Sequence, residues 1–243
     1  SGNVRPIDAA MIDHLNPGAV IPLMYESWEF RGADVDLAAC RRRNIAVAGT
    51  NEHHPKVRIF PYLGLMLLRQ VIDAGIEVIG SRIAVISDNG FGAHLARTLR
   101  ANGAFVNMSP SVPFRGDTDA IVIACTPGTI DWVGGKRARI SAARIRRNCP
   151  VATVIQFWGD IDRAALKRNG VPYYPAKAPA RGHMAVLPSD IGGVPIVKLQ
   201  AAGLKVGELL SRARQDMGAS AAAAVTYSVR KRFGQPLSVA PNS

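Results

Sequence analysis

Apolar and polar positions along this chain fall into short blocks whose period changes in a regular order. Arg82 opens an apolar run, Ile83 to Ile86, that is rich in β-branched residues and too short for a helix, as expected of a strand buried on both faces. The polar stretch Ser87-Asp88-Asn89-Gly90 follows, and then Phe91, Leu95 and Leu99 recur at helical spacing beside small Ala93 and Ala96. Asn102-Gly103 suits a left-handed helix stop, and Ala104 to Val106 begins another strand. The pattern predicts a strand, turn, helix and strand over residues 81–106. The free N–H groups and dipole of its helix start would face the turn, where a diphosphate could be held.

The same rhythm extends along the chain. Pro6 to Leu15 carries a weak helical pattern, and Gly18 to Met24 reads as a strand edged by Pro22. Asp34 to Arg43 predicts an amphipathic helix, and Ile45 to Ala48 a strand. A long helix is expected from Val57 to Ala74, with Leu63, Met66, Leu67 and Val71 on one side and Pro61 in its first turns. Asp119 to Cys125 is a buried strand, Ser141 a helix N-cap, Val151 to Gln156 a strand, and Val171 to Tyr174 another. Pro195 to Arg214 predicts a helix with Ile196, Leu199, Leu204, Leu209 and Leu210 inward, and Ala219 to Phe233 a further helix or arm. Alternating strands and helices predict an α/β fold with a doubly wound parallel sheet of the Rossmann type and a small or incomplete second domain. The expected division is 1–56 as a partial substrate-type domain, 57–195 as the dinucleotide-binding domain, and 196–243 as helices returning to the first. The opening is short of partners, so either the first domain is unusually small or more of it lies upstream.

The glycine pattern at the turn is degenerate. Setting Gly92 as the third glycine of Gly-x-Gly-x-x-Gly places Ser87 and Asn89 where the first two belong. Asn89 is expected to make the turn at positive φ, and Gly92 to allow a close helix-to-strand contact. Asn107-Met108-Ser109 stands where a ribose-binding carboxylate would be. The candidate cofactor-binding residues are Ser87, Asn89, Gly90, Phe91, Gly92, Asn107, Thr126, Pro127 and Gly128, the last three at a strand's C-terminal end where open α/β sheets hold ligands. A turn filled by its own side chains would leave no room for the diphosphate, and a βαβ unit that binds no nucleotide is the competing reading.

Composition narrows the partners. The 243 residues are 48% hydrophobic, enough for a packed core, and carry 30 Lys and Arg against 18 acidic residues, a net charge of +12. Such a surplus attracts polyanions, and it is densest in Lys136–Arg147. That run has no interleaved aromatics and matches no nucleic-acid module, so it reads as a loop and solvated helix face and nucleic acid is not expected as a partner. Cys40, Cys125 and Cys149 are far apart, without metal or disulfide spacing, which suits buried thiols in a reducing cytoplasmic setting. No run is long enough for a bilayer, and no membrane partner is expected. His53 and His54 are adjacent and cannot share one face, so no metal site is expected there, but either is a candidate for proton transfer. Lys177, Arg181 and His183 form a basic loop, with His183 a further proton-transfer candidate, and Arg115 is expected to face water.

Two strings, GADVDLAACRRRNIAVAGTN and KVRIFPYLGLMLLRQVIDAG, followed by the βαβ unit, resemble the D-2-hydroxyacid dehydrogenase family over roughly Gly32 to Met217. The resemblance implies NAD or NADP as cofactor, hydride transfer to or from a small-molecule carbonyl or hydroxy substrate, and a homodimer packed through the long helix. It is weakest at the catalytic positions. In VATVIQFWGDIDRAAL, Trp158 stands where the family has an arginine before glycine, while Gly159, Asp160 and Asp162 match. An indole cannot grip a carboxylate as a guanidinium does, so Trp158 is either an apolar plug or a ring stacked on a flat ligand, and the substrate is expected to be atypical. MAVLPSDIGG resembles the family strand ending in the general-acid histidine and puts Asp190 at that place. Asp190 is then either an ionised cap or, if burial raised its pKa, the proton donor. A non-catalytic nucleotide-binding or scaffold protein derived from the same fold is the alternative.

Overall fold

The computed structural model describes residues 6–109 and 116–237. In chain order these form α1 (Ala9–Asp13), β1 (Val20–Pro22), α2 (Leu37–Arg42), β2 (Ala46–Thr50), α3 (Phe60–Asp73), β3 (Arg82–Ile86), α4 (Phe91–Ala101), β4 (Phe105–Met108) and β5 (Ala120–Ala124). There follow β6 (Val133–Gly134), β7 (Ile140–Ser141), α5 (Ala142–Asn148), β8 (Thr153–Trp158), α6 (Arg163–Arg168), β9 (Tyr173–Tyr174), α7 (Gly193–Asp216), α8 (Ala221–Arg230) and β10 (Gly234–Gln235). They belong to two compact units, one continuous over Phe60–Gly192, the other built from the residues up to Ile59 with those from Gly193 onward.

The discontinuous unit has a three-stranded sheet in the order β1-β2-β10, with β1 parallel and β10 antiparallel to β2. Pro22 is tolerated because β1 is an edge strand. Asp8 and Asp36 cap α1 and α2 through side-chain oxygens that accept from Met11 and Ala39 N–H groups at 2.9 Å. One core joins Ile12, Leu23, Val35 and Cys40; a second packs Ala46 and Ala48 against Val206, Leu210, Ala213 and Ala224. Leu204, expected inside, is 72% exposed, because Leu199, Val206 and Leu210 form the buried face of α7 and residue 204 falls opposite them.

The continuous unit is an α/β domain with an all-parallel five-stranded sheet in the order β4-β3-β5-β8-β9. Every residue of β5 is fully buried, because the sheet is covered on both faces. Leu63, Met66, Leu67, Leu95 and Leu99 of α3 and α4 pack on one side with Ile83, Val85 and Val122; Ile145 and Leu166 of α5 and α6 pack on the other with Ile121, Ile123 and Val154. Helices on both faces and the reversal of strand order between β3 and β5 make this a doubly wound, Rossmann-like sheet; sheets of this kind hold ligands at the carboxyl ends of the strands where the order reverses.

Local details depart from the sequence expectations. Helix α3 begins at Phe60, with Pro61 in its first turn, while Val57 and Ile59 pack with Leu199 and Ala202 inside the discontinuous unit. Gly64 lets α3 and α4 touch: a Cβ there would lie 2.5 Å from Thr98 Cβ. Ser141 heads α5 without a side-chain cap, since it also pairs with Gly134 in the small β6–β7 ladder. Residues 184–193 form no strand; Pro188–Asp190 is a 3-10 turn, and Ala185 N–H alone reaches across to the Phe157 carbonyl, at 3.0 Å.

Candidate functional site

The turn after β3 and the loop after β5 are laced together at the switch point. Asp88 Oδ1 accepts from Thr126 N–H at 2.7 Å and from Thr126 Oγ1 at 3.1 Å. Asn89 Nδ2 donates to Asp88 Oδ1 at 3.0 Å and to the Ala124 carbonyl at 3.2 Å. At the start of α4, Asn89 Oδ1 accepts from Phe91 N–H at 2.9 Å, and Ser87 Oγ accepts from Gly92 N–H at 3.2 Å. Two donors of the helix start are thus taken by the turn's own side chains.

The turn works differently from the expectation. Asn89 does not have positive φ, and Gly90 sits at φ −66° as the N-cap residue. The bend is held by Asn89 as a side-chain turn, which any φ-negative asparagine can make. Gly92 does require its missing Cβ, which would fall 2.7 Å from Ser87 Cβ and 3.1 Å from Met108 Cε. The Phe91 side chain does not border the crevice; it is buried against Phe157 and Phe60, so only its backbone faces the turn. Cys125 is also fully buried, donating to the Ile86 carbonyl at 3.2 Å, and burial pushes its thiol up to about 12, which makes it an inert packing group.

Beside this crevice the loop at residues 126–129 is braced from two directions. Trp132 Nε1 donates to the Thr126 carbonyl at 2.9 Å, and Arg139 lies 4.2 Å over the indole. From the 175–183 segment, Arg181 donates to Asp131 Oδ1 at 2.9 Å and to the Gly128 and Thr129 carbonyls at 3.1 and 3.0 Å. Gly182 N–H donates to both oxygens of buried Asp160 at 3.1 and 3.2 Å. Trp158 is half-buried: its ring stands 5.3 Å from Phe91 and its Nε1 donates to the Gly182 carbonyl at 3.1 Å. Sequence reasoning singled out neither Asp88 nor the Asp131–Asp160–Arg181 set. The first was legible as an acidic residue inside a glycine pattern; the second joins residues too far apart in the chain to be read as one.

The proton-transfer candidates are scattered. Asp190 accepts the Leu187 N–H at 2.8 Å and so caps its own turn, while its carbonyl takes a bond from Arg69. His183 is exposed on the 175–183 segment. His53 and His54 belong to the discontinuous unit; His54 stacks on Phe233 at 3.9 Å and is pushed below the ordinary imidazole range by burial, then by Arg232 and Lys56. Asn107 lines a hollow of about 580 Å³ with Arg82, Arg100 and Asp117, beside the amino ends of β3 and β5. Arg115 lies outside the described residues. Among the described residues no group of three or more His, Cys, Asp or Glu could hold a metal, and no helix is long and apolar enough to cross a membrane.

The discontinuous unit carries its own polar knot at the ends of β1 and β2. Buried Glu26 accepts from Trp28 Nε1 at 2.6 Å, Glu52 N–H at 3.1 Å and Gln235 Nε2 at 3.2 Å. Burial, with Glu29 and Glu26 adding to it, holds the Glu52 carboxyl well above the usual carboxylate range.

No protein-family model and no curated protein matches the chain. Among solved structures it is similar to a dipicolinate synthase chain from Bacillus halodurans, at 12% identity and TM-score 0.52, over 84% of this chain and 70% of that one. The corresponding dipicolinate synthase chain from Bacillus subtilis gives 14% identity and TM-score 0.52 over 86% and 70%. The TT0316 protein from Thermus thermophilus gives 17% and 0.52 over 84% and 79%. At these identities the likeness is one of fold.

Proposed function

We propose that this chain is an NAD(P)-linked oxidoreductase related to the 2-hydroxyacid dehydrogenases, acting on an atypical carbonyl or hydroxy substrate at the carboxyl edge between β3 and β5. The observation that carries the reading is the contact of Gly92 with Ser87 and Met108, the close helix-to-strand approach that the third glycine of a dinucleotide turn provides. In this structure the Asn89 and Ser87 side chains hold the Phe91 and Gly92 N–H groups, so a dinucleotide would have to displace them; Gly90 and Gly92 would then border the diphosphate and Thr126 to Gly128 the nicotinamide. When bound, the cofactor supplies or accepts the hydride. The chain's own residues bind and orient it. Asn89 swings aside to free the Phe91 N–H, and the proton comes from His183, which is exposed on the 175–183 segment of the same unit. Trp158, in place of a guanidinium, selects against simple 2-oxo acids. The same resemblance supports a homodimer, with exposed Leu65 and Ile72 of α3 as its apolar contact, and the three buried free thiols suit a cytoplasmic protein.

A second reading, a non-catalytic nucleotide-binding or scaffold protein, is favoured by the caps that occupy the helix start and by the use of Asp190 as a cap. Titration of the chain and of Asn89→Gly with NADH and NADPH, followed by turnover against ketone and imine panels, separates the two. Asn89→Gly restores a glycine and exposes the Phe91 N–H, so dinucleotide affinity should rise by about tenfold, the worth of one charge-assisted hydrogen bond. Binding with turnover supports the oxidoreductase, and binding without turnover supports the second reading. No binding to either form refutes the oxidoreductase and the nucleotide-binding form of the second reading, and leaves only a scaffold.

A further inference from the structure

Residues 175–183 run between two firm anchors. Tyr173 and Tyr174 before them form β9, paired with Val154 and Ile155, and Val186 after them is buried in the core. Between the anchors no residue is buried. Near its start Arg163 Nε donates to the Pro175 carbonyl at 3.1 Å. At its far end Arg181 and Gly182 bond to the loop at residues 126–131, to Asp160 and to Trp158, and Gly182 lies against Pro127, with a Cβ position only 3.8 Å from the proline's. A stretch that buries no residue of its own and is held by a few exposed and part-buried polar contacts opens at lower cost than the sheet beneath it.

We propose that residues 175–183 are a strap latched by Arg181 over the loop after β5, and that its release admits ligand to the carboxyl edge of the sheet. The latch is matched to a guanidinium. One fork donates to the Asp131 carboxylate and to two adjacent carbonyls, and the planar group spans all three where a lysine ammonium reaches fewer. Closure also gives Asp160, a carboxylate whose side chain is only 10% exposed, two contacts to the Gly182 N–H and an ion pair with Arg181 at 3.9 Å. Release returns that carboxylate and the Trp158 N–H to whatever enters. The identity of the entering molecule rests on the nucleotide reading above; the latch itself does not.

The test is hydrogen exchange by mass spectrometry on the full chain, comparing wild type with Arg181→Ala and Arg181→Lys, together with NADH and NADPH titrations of each. The Gly182 amide, bonded to Asp160 when the strap is closed, should exchange about tenfold faster in Arg181→Ala, while α3, α4 and the sheet keep their protection. Arg181→Lys should fall between the two. The opened variant should also bind dinucleotide several-fold more tightly, since no latch has to break. Unchanged exchange at Gly182 overturns the latch, and a uniform rise across the whole unit overturns its local character. Faster exchange with equal dinucleotide affinity overturns the gating role. Faster exchange with no dinucleotide bound by any form, Asn89→Gly included, refutes the nucleotide reading and leaves the latch standing.

Discussion

Replacing Gly64 with alanine sets two effects of opposite sign against each other. In an exposed helix interior the change stabilises by about 1 kcal/mol, because alanine loses less backbone entropy. In α3 the added Cβ would fall 1.9 Å from Thr98 Oγ1, 2.5 Å from Thr98 Cβ and 2.9 Å from Thr98 Cγ2. Turning the threonine removes the first conflict and leaves the second, since its Cβ is fixed by the backbone of α4. Relief therefore means parting the helices by roughly 1 Å, which loosens Leu63, Leu67, Leu95 and Leu99 in a core that is packed to solid density. Overpacking of this kind costs about 1–3 kcal/mol, and carbon atoms drawn apart by that much forfeit much of their attraction. We expect Gly64→Ala to be destabilised by about 1–2 kcal/mol net, measured as a lower urea midpoint at unchanged m. Thr98→Ala should rescue little and Thr98→Gly most of the loss, a coupling that a double-mutant cycle resolves. If Gly64→Ala is as stable as the wild type or more so, the close helix contact is wrong.

Gly92→Ala should likewise cost about 1–3 kcal/mol in urea unfolding and weaken dinucleotide binding, because its Cβ would press on Ser87 and Met108. Asp162→Ala removes the acceptor for Ala165 N–H at 2.9 Å and should cost about 1 kcal/mol, read by the same unfolding curves. Glu52 is raised above its ordinary value of 4.5, so the stability it confers is complete below that pH and lost as pH rises through its folded-state value; Glu52→Gln should flatten this decline in a stability–pH profile. His54 is lowered from 6.5, so its contribution is present above that pH and fades as pH falls; His54→Gln should remove that acid-side slope.

Much of the fold was legible because its signals are local. β-branched Ile83 to Ile86, the helical spacing of Leu95 and Leu99, and the Asn102-Gly103 stop each report on their own neighbourhood, and the elements fall where these place them. Gly103 does adopt φ +87°. Errors arose where a residue had two competing uses. Asn89 could turn by φ or by its amide, and the amide won. Ser141 could cap or pair, and it pairs. Leu204 satisfied a helical count but fell on the outer face of α7. The candidate site was less legible than the fold. Asp131, Asp160, Arg181 and Trp158 meet only through tertiary packing, and no spacing in the chain encodes an arginine reaching the carbonyls of residues more than fifty positions away.

The division of the chain has a bearing on how the molecule is made. Residues 60–192 hold their whole parallel sheet within one uninterrupted stretch, so that sheet can be completed during synthesis. β1 and β2, emerging earlier, must wait for α7, α8 and β10 to arrive. The wait costs little at equilibrium, because the entropy of joining distant ends grows only with the logarithm of their separation. In time it is more serious: until the last helices dock, Ala46 and Ala48 stay uncovered and the Gly49–Thr50 backbone lacks its second neighbour. An early stop beyond residue 192 would thus spare one half of the molecule and leave the other as a bare, pairing-competent strand edge, the form in which unfinished chains associate with one another.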